Sequence, residues 1–181
     1  MYFSNVSAKS NGLSTQIAQV MTATFLIAVL SQIVIPLYPV PLTGQTLGIL
    51  LTAGLLGRKK GILAVSTYIL LGTVGMPFFA GGDFGLARLA GPTGGYLIGF
   101  LAAAYVVGMM SDRGMFMSFK TSAFAMIAGN TVIYVFGVLW LSNFTGWENV
   151  LNAGVYPFIP GDVIKILLAA SLVPIGSKYI K

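Results

Sequence analysis

Residues 43–76 read TGQTLGILLTAGLLGRKKGILAVSTYILLGTVGM, and this stretch decides the fold class. Two almost wholly apolar runs flank a cluster of three bases, Arg58, Lys59 and Lys60. Long apolar runs joined by a short basic segment are typical of helices that enter and leave a membrane. The stretch therefore predicts a membrane hairpin with a basic turn.

The same pattern extends along the whole chain. Of its 181 residues, 56% are hydrophobic and only 8% are charged. Six apolar runs predict an all-α, polytopic membrane protein, a bundle of about six transmembrane helices. The runs cover residues 16–35, 43–56, 62–76, 91–110, 119–141 and 160–175. The second and third are shorter than the roughly 20 residues that cross a bilayer, which predicts helices that are tilted or partly inserted.

The basic residues indicate the orientation in the membrane. Six spans put both termini on one side, and eight of the ten Lys and Arg residues fall on that side, leaving Arg88 and Lys165 on the other. Cytoplasmic loops carry such an excess of bases. We therefore expect both termini, including the polar segment 1–15, to be cytoplasmic. The outer segments are then 36–43, 77–90 and 142–160.

Composition also excludes several classes of protein. The chain has no Cys and no His, which excludes disulfides, thiolate chemistry and the usual metal ligand. In a soluble protein, a net charge of +6 would be compatible with binding to nucleic acid. Positive-inside loops produce the same excess, so no nucleic-acid partner is expected. We expect residues 1–181 to form a single substrate-binding domain without a cofactor.

No segment of the chain has the features of an ATP site. The nearest match is Gly57-Arg58-Lys59-Lys60, which lacks the spacing that lets a phosphate-binding loop cradle phosphates. If ATP drives this protein, another chain must bind it.

The charged residues on the outer side are candidates for ligand binding. Asp162 and Lys165 begin the sixth apolar run, and their i, i+3 spacing puts both on one helix face. Ionisable groups at membrane depth usually face a cavity or the bundle interior. The two residues are therefore either a mutual ion pair or part of a polar pocket that opens outward.

Arg88 is the other outer base, in a Gly-rich loop. A guanidinium presents a planar fork that suits a carboxylate. Either Arg88 binds the acid group of a ligand, or it pairs with Asp83 and folds the loop.

Three uncharged residues complete the candidate set. Gln45 and Asn130 are amides inside predicted spans, where an unsatisfied polar group is expensive. Gln45, near the outer end of its span, is a ligand candidate, and Asn130 either binds ligand or bonds a neighbouring helix. Tyr96 lies at the outer rim, as part of an interfacial belt or as a pocket wall. The predicted binding residues are Arg88, Asp162, Lys165, Gln45, Tyr96 and Asn130.

Small residues recur every four positions at Gly91, Gly95, Gly99 and Ala103. Such a stripe lets two helix backbones approach closely in a membrane. It predicts the face on which the fourth span packs.

Five segments form an ordered set along the chain, namely VPLTGQT at 40–46, GRKKG at 57–61, GTVGMPFFAGG at 72–82, GPTGGY at 91–96 and PFIPGDVIK at 157–165. Together they resemble the BioY family, the biotin-binding membrane component (S component) of energy-coupling factor (ECF) vitamin importers. The resemblance covers most of the chain from Pro36 onward.

The resemblance implies a function and its partners. It implies capture of biotin outside a prokaryotic cell membrane, together with a transmembrane coupling protein (T component) and two cytoplasmic ABC-type ATPases. It places Arg88, Asp162 and Lys165, with Gln45 and Tyr96, at ligand-binding positions. Biotin would offer its carboxylate to Arg88 or Lys165 and its ureido ring to Asp162 and Gln45.

The resemblance also implies a small-residue face on the first helix, toward the coupling protein. This sequence offers two registers for that face, Ala18 with Thr22 or Thr24 with Ala28.

Three other functions are compatible with the sequence. The same fold could bind another carboxylate-bearing vitamin or a biotin precursor. An intramembrane enzyme could use Asp162 as a base beside Lys165, although the sequence offers no nucleophile–base pair and no second paired carboxylate. A purely structural subunit would lose only stability when Arg88 and Lys165 are neutralised.

Overall fold

The structure is a computed structural model that describes residues 12–180. The predictions for residues 1–11 of the N-terminal segment, with Lys9, and for Lys181 lie outside the described residues. The remainder is a helical bundle in which short elements cap one end.

The described chain contains seven α-helices, one small hairpin and three short 3-10 helices. The strands β1, Val34–Ile35, and β2, Leu42–Thr43, pair antiparallel with Val34 opposite Thr43. The helices are α1 Leu13–Ser31, α2 Gln45–Thr73, α3 Leu86–Ala90, α4 Gly94–Asp112, α5 Phe119–Thr145, α6 Val150–Gly154 and α7 Ile159–Ile180. Strand β2, α3 and α6 lie in the three segments predicted to be on the outer face, whereas β1 lies at the end of the first predicted span, just before the first of these segments.

Helix α2 is broken at Gly57, and its two halves cover most of the second and the third predicted spans. Gly57 has φ 74° and ψ −175°, a conformation that L side chains rarely adopt. Both carboxylate oxygens of Asp112, at the end of α4, accept from the Arg58 backbone N–H at 3.3 Å. A Cβ on Gly57 would collide with Asp112 Oδ1. The bundle thus has six long helical segments, as predicted.

Four stretches in the described chain are long and apolar enough to cross a membrane, namely α1, α4, α5 and Val150–Ser177, which contains α6 and most of α7. Each half of α2, residues 45–56 and 58–73, is shorter than the roughly 20 residues that cross a bilayer. Large apolar side chains such as Phe25, Leu63 and Phe124 are exposed around the bundle, as a lipid-facing surface requires.

The predicted stripe of small residues is where α4 and α5 pack. A Cβ on Gly95 would lie 2.5 Å from the Phe136 carbonyl oxygen, and one on Gly99 would lie 3.0 Å from Ile133 Cα. Ala103 is fully buried. Gly91 departs from the prediction, because it follows α3 and precedes the first turn of α4. The stripe therefore begins at Gly95.

The structure also separates the two small-residue pairs of α1. Thr24 and Ala28 face the interior, and the Thr24 hydroxyl donates to the Ala64 carbonyl at 3.0 Å. Ala18 and Thr22 are exposed. Of the two registers, only the Ala18–Thr22 pair is available on the surface of α1.

Candidate functional site

A cavity lies at the end of the bundle that carries the hairpin, α3 and α6. Its wall is assembled from the hairpin, the first turns of α2, α4 and α7, the middle of α5, and the segment around α3. All six predicted residues line it, namely Arg88, Asp162, Lys165, Gln45, Tyr96 and Asn130. Residues that are up to 120 positions apart in sequence thus share one site.

The Asp162 carboxylate is the most enclosed charge in the cavity wall. The residue is 5% exposed and lies in the first turn of α7. Its Oδ1 lies 3.0 Å from Lys165 Nζ, and its Oδ2 accepts from Asn130 Nδ2 at 2.9 Å and from the Tyr134 hydroxyl. A buried charge is tolerated only when it is paired and hydrogen-bonded. The three donors meet that requirement.

Lys165 continues this network to α2. Its ammonium donates to Thr46 Oγ1 at 3.0 Å as well as to Asp162 Oδ1 at 3.0 Å. An ammonium has three N–H donors, so these two contacts leave a third donor for a ligand. Both sequence interpretations hold for this pair, because Asp162 and Lys165 are ion-paired and also line the cavity. The site therefore presents a carboxylate acceptor next to an ammonium donor.

Gln45 lies at the start of α2, where its amide is held on both sides. Its Oε1 accepts from Thr43 Oγ1 at 2.9 Å, and its Nε2 donates to the hydroxyl of Tyr68, a fully buried residue. These contacts fix the plane of the amide against the cavity. Gln45 is therefore a preorganised polar group in the wall.

Arg88 is in α3, at the mouth of the cavity. Its guanidinium pairs with Asp83, and the side chains are 37% and 39% exposed, respectively. Slight burial acts to raise the pKa of Asp83, but the Phe84 N–H and the charge of Arg88 outweigh it and hold the pKa below its usual value. The predicted loop pair therefore exists, and Arg88 also lines the cavity.

Tyr96 is a pocket wall and not part of an interfacial belt. It is 8% exposed, and its hydroxyl donates to the Gly154 carbonyl at 2.8 Å. Its ring lies against Gly137 of α5, where a Cβ would collide with it. Phe79 and Phe158 add buried aromatic surface to the same cavity.

Sequence reasoning missed Tyr134, Thr46 and Tyr68. Tyr134 follows Asn130 by four residues, so both lie on one face of α5, and this spacing was a usable signal. Thr46 and Tyr68 gave none, because their roles depend on contacts with Lys165 and Gln45 that only the folded bundle creates.

Comparison with known proteins fits this geometry. A model of the BioY family matches residues 4–181. The chain belongs to the BioY family. It is 42% identical over 148 residues to the biotin transporter BioY of Thermotoga maritima, covering 81% of this chain and 86% of that protein. It is 39% identical over 142 residues to the biotin transporter BioY of Rhizobium etli, covering 74% and 76%.

A solved structure also matches this BioY family member. The crystal structure of the S-component for biotin from an ECF-type ABC transporter superimposes with a TM-score of 0.79 and 29% identity, covering 93% of this chain and 96% of that one. The chain is therefore a multi-pass membrane protein with the fold of an ECF S component.

Proposed function

We propose that this chain is an S component that captures biotin on the outer side of the cell membrane and passes it to an ATP-driven ECF importer. One observation carries the proposal. A buried Asp162, ion-paired with the partly buried Lys165, lies in a cavity whose mouth holds Arg88. Relatives named biotin transporters support biotin as the ligand. In this role the chain is a binding subunit and not an enzyme.

The polarity of the cavity suits the two ends of biotin. A ureido ring carries N–H donors beside a carbonyl acceptor, and Asp162 Oδ1 with the Lys165 ammonium offers the complementary acceptor and donor. Arg88 offers a planar fork to the carboxylate at the mouth. Tyr96, Phe79 and Phe158 provide apolar surface for the thiophane ring. We therefore assign the ureido end to Asp162 and Lys165 and the carboxylate end to Arg88.

Delivery requires partner chains. We infer a T component and two ABC-type ATPases, with both termini of this chain cytoplasmic in a prokaryotic cell membrane. The exposed Ala18 and Thr22 of α1 support a close helix contact with the T component.

Titration of biotin into purified, biotin-stripped protein in detergent, followed by calorimetry, tests the proposal. We expect saturable binding that Asp162→Asn weakens by about 100-fold, because loss of the charged acceptor at a buried site costs several kcal/mol. Arg88→Ala is expected to weaken binding by about 10-fold. This effect is smaller than that of Asp162→Asn because the Arg88 side chain is more than a third exposed, so water screens its charge.

Two variants serve as matched controls. Glu148→Gln and Arg113→Ala remove one acidic and one basic group from exposed positions outside the cavity. Both are expected to bind biotin as the wild type does. A folded wild-type protein that binds no biotin, or that binds another carboxylate-bearing vitamin more tightly in competition, would overturn the proposal.

A further inference from the structure

We propose that Tyr134 and Asn130 are positioning residues that orient the Asp162 carboxylate toward the ligand, an inference that rests on the proposed function. The two residues are one helical turn apart on α5, so their side chains leave the same face. Both donate to one and the same oxygen, Asp162 Oδ2. Asp162 belongs to α7, so the contact joins two helices.

The distribution of donors decides which oxygen is available to a ligand. An ionised carboxylate has about four lone-pair sites, two on each oxygen. Tyr134 and Asn130 occupy both sites on Oδ2, whereas Oδ1 accepts from Lys165 alone among the residues that the structure describes. The remaining acceptor site is therefore on Oδ1, next to the ammonium. A ligand N–H that binds there lies beside the Lys165 donor.

Without these two donors the carboxylate would lose its orientation. The terminal torsion of Asp is broad, with no sharp staggered minima to hold it. The ion pair with Lys165 attracts either oxygen. Two hydrogen bonds from a rigid helix therefore select one orientation before the ligand arrives, which lowers the ordering cost of binding.

Tyr134→Phe tests this role, because it removes the hydroxyl and retains the ring. We expect biotin affinity to fall by about 10-fold in calorimetry, as for the loss of one hydrogen bond to a charged group. Asn130→Ala is expected to have an effect of similar size. Tyr105→Phe is the matched control, since Tyr105 is exposed on α4 and its ring, which lies 5.6 Å from the Arg58 guanidinium, is retained.

A double-mutant cycle separates positioning from packing. If Tyr134 acts through the carboxylate, Tyr134→Phe should change affinity by less than about 2-fold in an Asp162→Asn background. An unchanged affinity in Tyr134→Phe, or a 10-fold loss that persists with Asp162→Asn, would overturn the inference. If Tyr134→Phe does not fold, the same cycle with Asn130→Ala decides between the same two outcomes.

The wild-type titration in this series keeps the two proposals apart. Failure of the wild type to bind biotin overturns the proposed function. Normal wild-type binding with no coupling between Tyr134 and Asp162 overturns only the positioning role.

Discussion

The cavity wall includes both members of one ion pair, Asp162–Lys165, and only the Arg88 member of a second pair, Asp83–Arg88, and the two pairs differ in burial and in what holds them. Asp162 and Lys165 are 7% and 12% exposed at the side chain, and three protein donors surround the carboxylate. Asp83 and Arg88 are more than a third exposed, in a loop and in a five-residue helix. The buried pair is held by three helices, and the exposed pair is held mainly by its own loop.

This difference separates a fixed part of the site from an adaptable one. Burial makes each charge expensive, so Asp162 and Lys165 persist because they are paired with each other and hydrogen-bonded to neighbouring helices. Water solvates Asp83 and Arg88 in any arrangement, so their pairing contributes little to stability and is easily exchanged. A ligand would therefore contact a rigid polar group, formed by Asp162 and Lys165, and the Arg88 guanidinium, which can exchange Asp83 for the ligand.

The largest expected effect comes from removing one member of the buried pair. Lys165→Met leaves the Asp162 carboxylate buried without its cation, and we expect the free energy of unfolding to fall by about 3–5 kcal/mol. Arg88→Met, the same change in the exposed pair, should cost less than about 1 kcal/mol. Denaturant unfolding in detergent measures both. Equal losses would mean that burial does not distinguish the pairs.

Neutralising both members should partly reverse that loss. The double variant Asp162→Asn with Lys165→Met has no uncompensated charge, and we expect it to be about 2 kcal/mol more stable than Lys165→Met alone. Biotin binding should not recover, since the acceptor and the donor are both gone. The unfolding assay would contradict this prediction if the double variant were as unstable as Lys165→Met. Calorimetry would contradict it if the double variant regained biotin binding.

Salt should affect the two pairs differently. Raising the ionic strength from about 0.1 M to about 1 M shortens the screening length from roughly 10 Å to roughly 3 Å. We expect wild-type biotin affinity to fall by a few-fold through Arg88, and the affinity of Arg88→Ala to change less. If salt lowered the affinity of the wild type and of Arg88→Ala equally, the carboxylate of biotin would not be bound by Arg88.

The smallest effect concerns pH and the exposed pair. Because the folded-state pKa of Asp83 is below the ordinary value of 3.8, its charged form stabilises the fold above that pH. This contribution is lost as the pH falls through the lowered pKa. The difference in stability between the wild type and Asp83→Asn should be below about 0.5 kcal/mol, after screening by water. It should be constant from about pH 7 to pH 5, and a decline already within that window would contradict the lowered pKa.

The membrane bundle and its candidate binding residues followed from the sequence, because both depend on local chemistry. Apolar runs must be buried in lipid or protein wherever they occur, and a charge such as Asp162 at the start of such a run needs a cavity or a partner. For Arg88 and for the Asp162–Lys165 pair, local chemistry could not decide between an ion pair and a ligand-binding role. Each pair forms, and Asp162, Lys165 and Arg88 also face the cavity, which depends on how neighbouring segments enclose it.

By itself, the sequence predicted a bundle of about six membrane helices, identified the charged residues that its apolar runs do not explain, and indicated which family the chain resembles. Only the tertiary structure decided that Asp112 binds the backbone at the break in α2, that Ala18 and Thr22 remain exposed, and that Tyr134 reaches Asp162. The physical reason is the range of the forces involved. Transfer of apolar segments out of water is a property of each segment, whereas a hydrogen bond between helices depends on their packing to within a few tenths of an ångström.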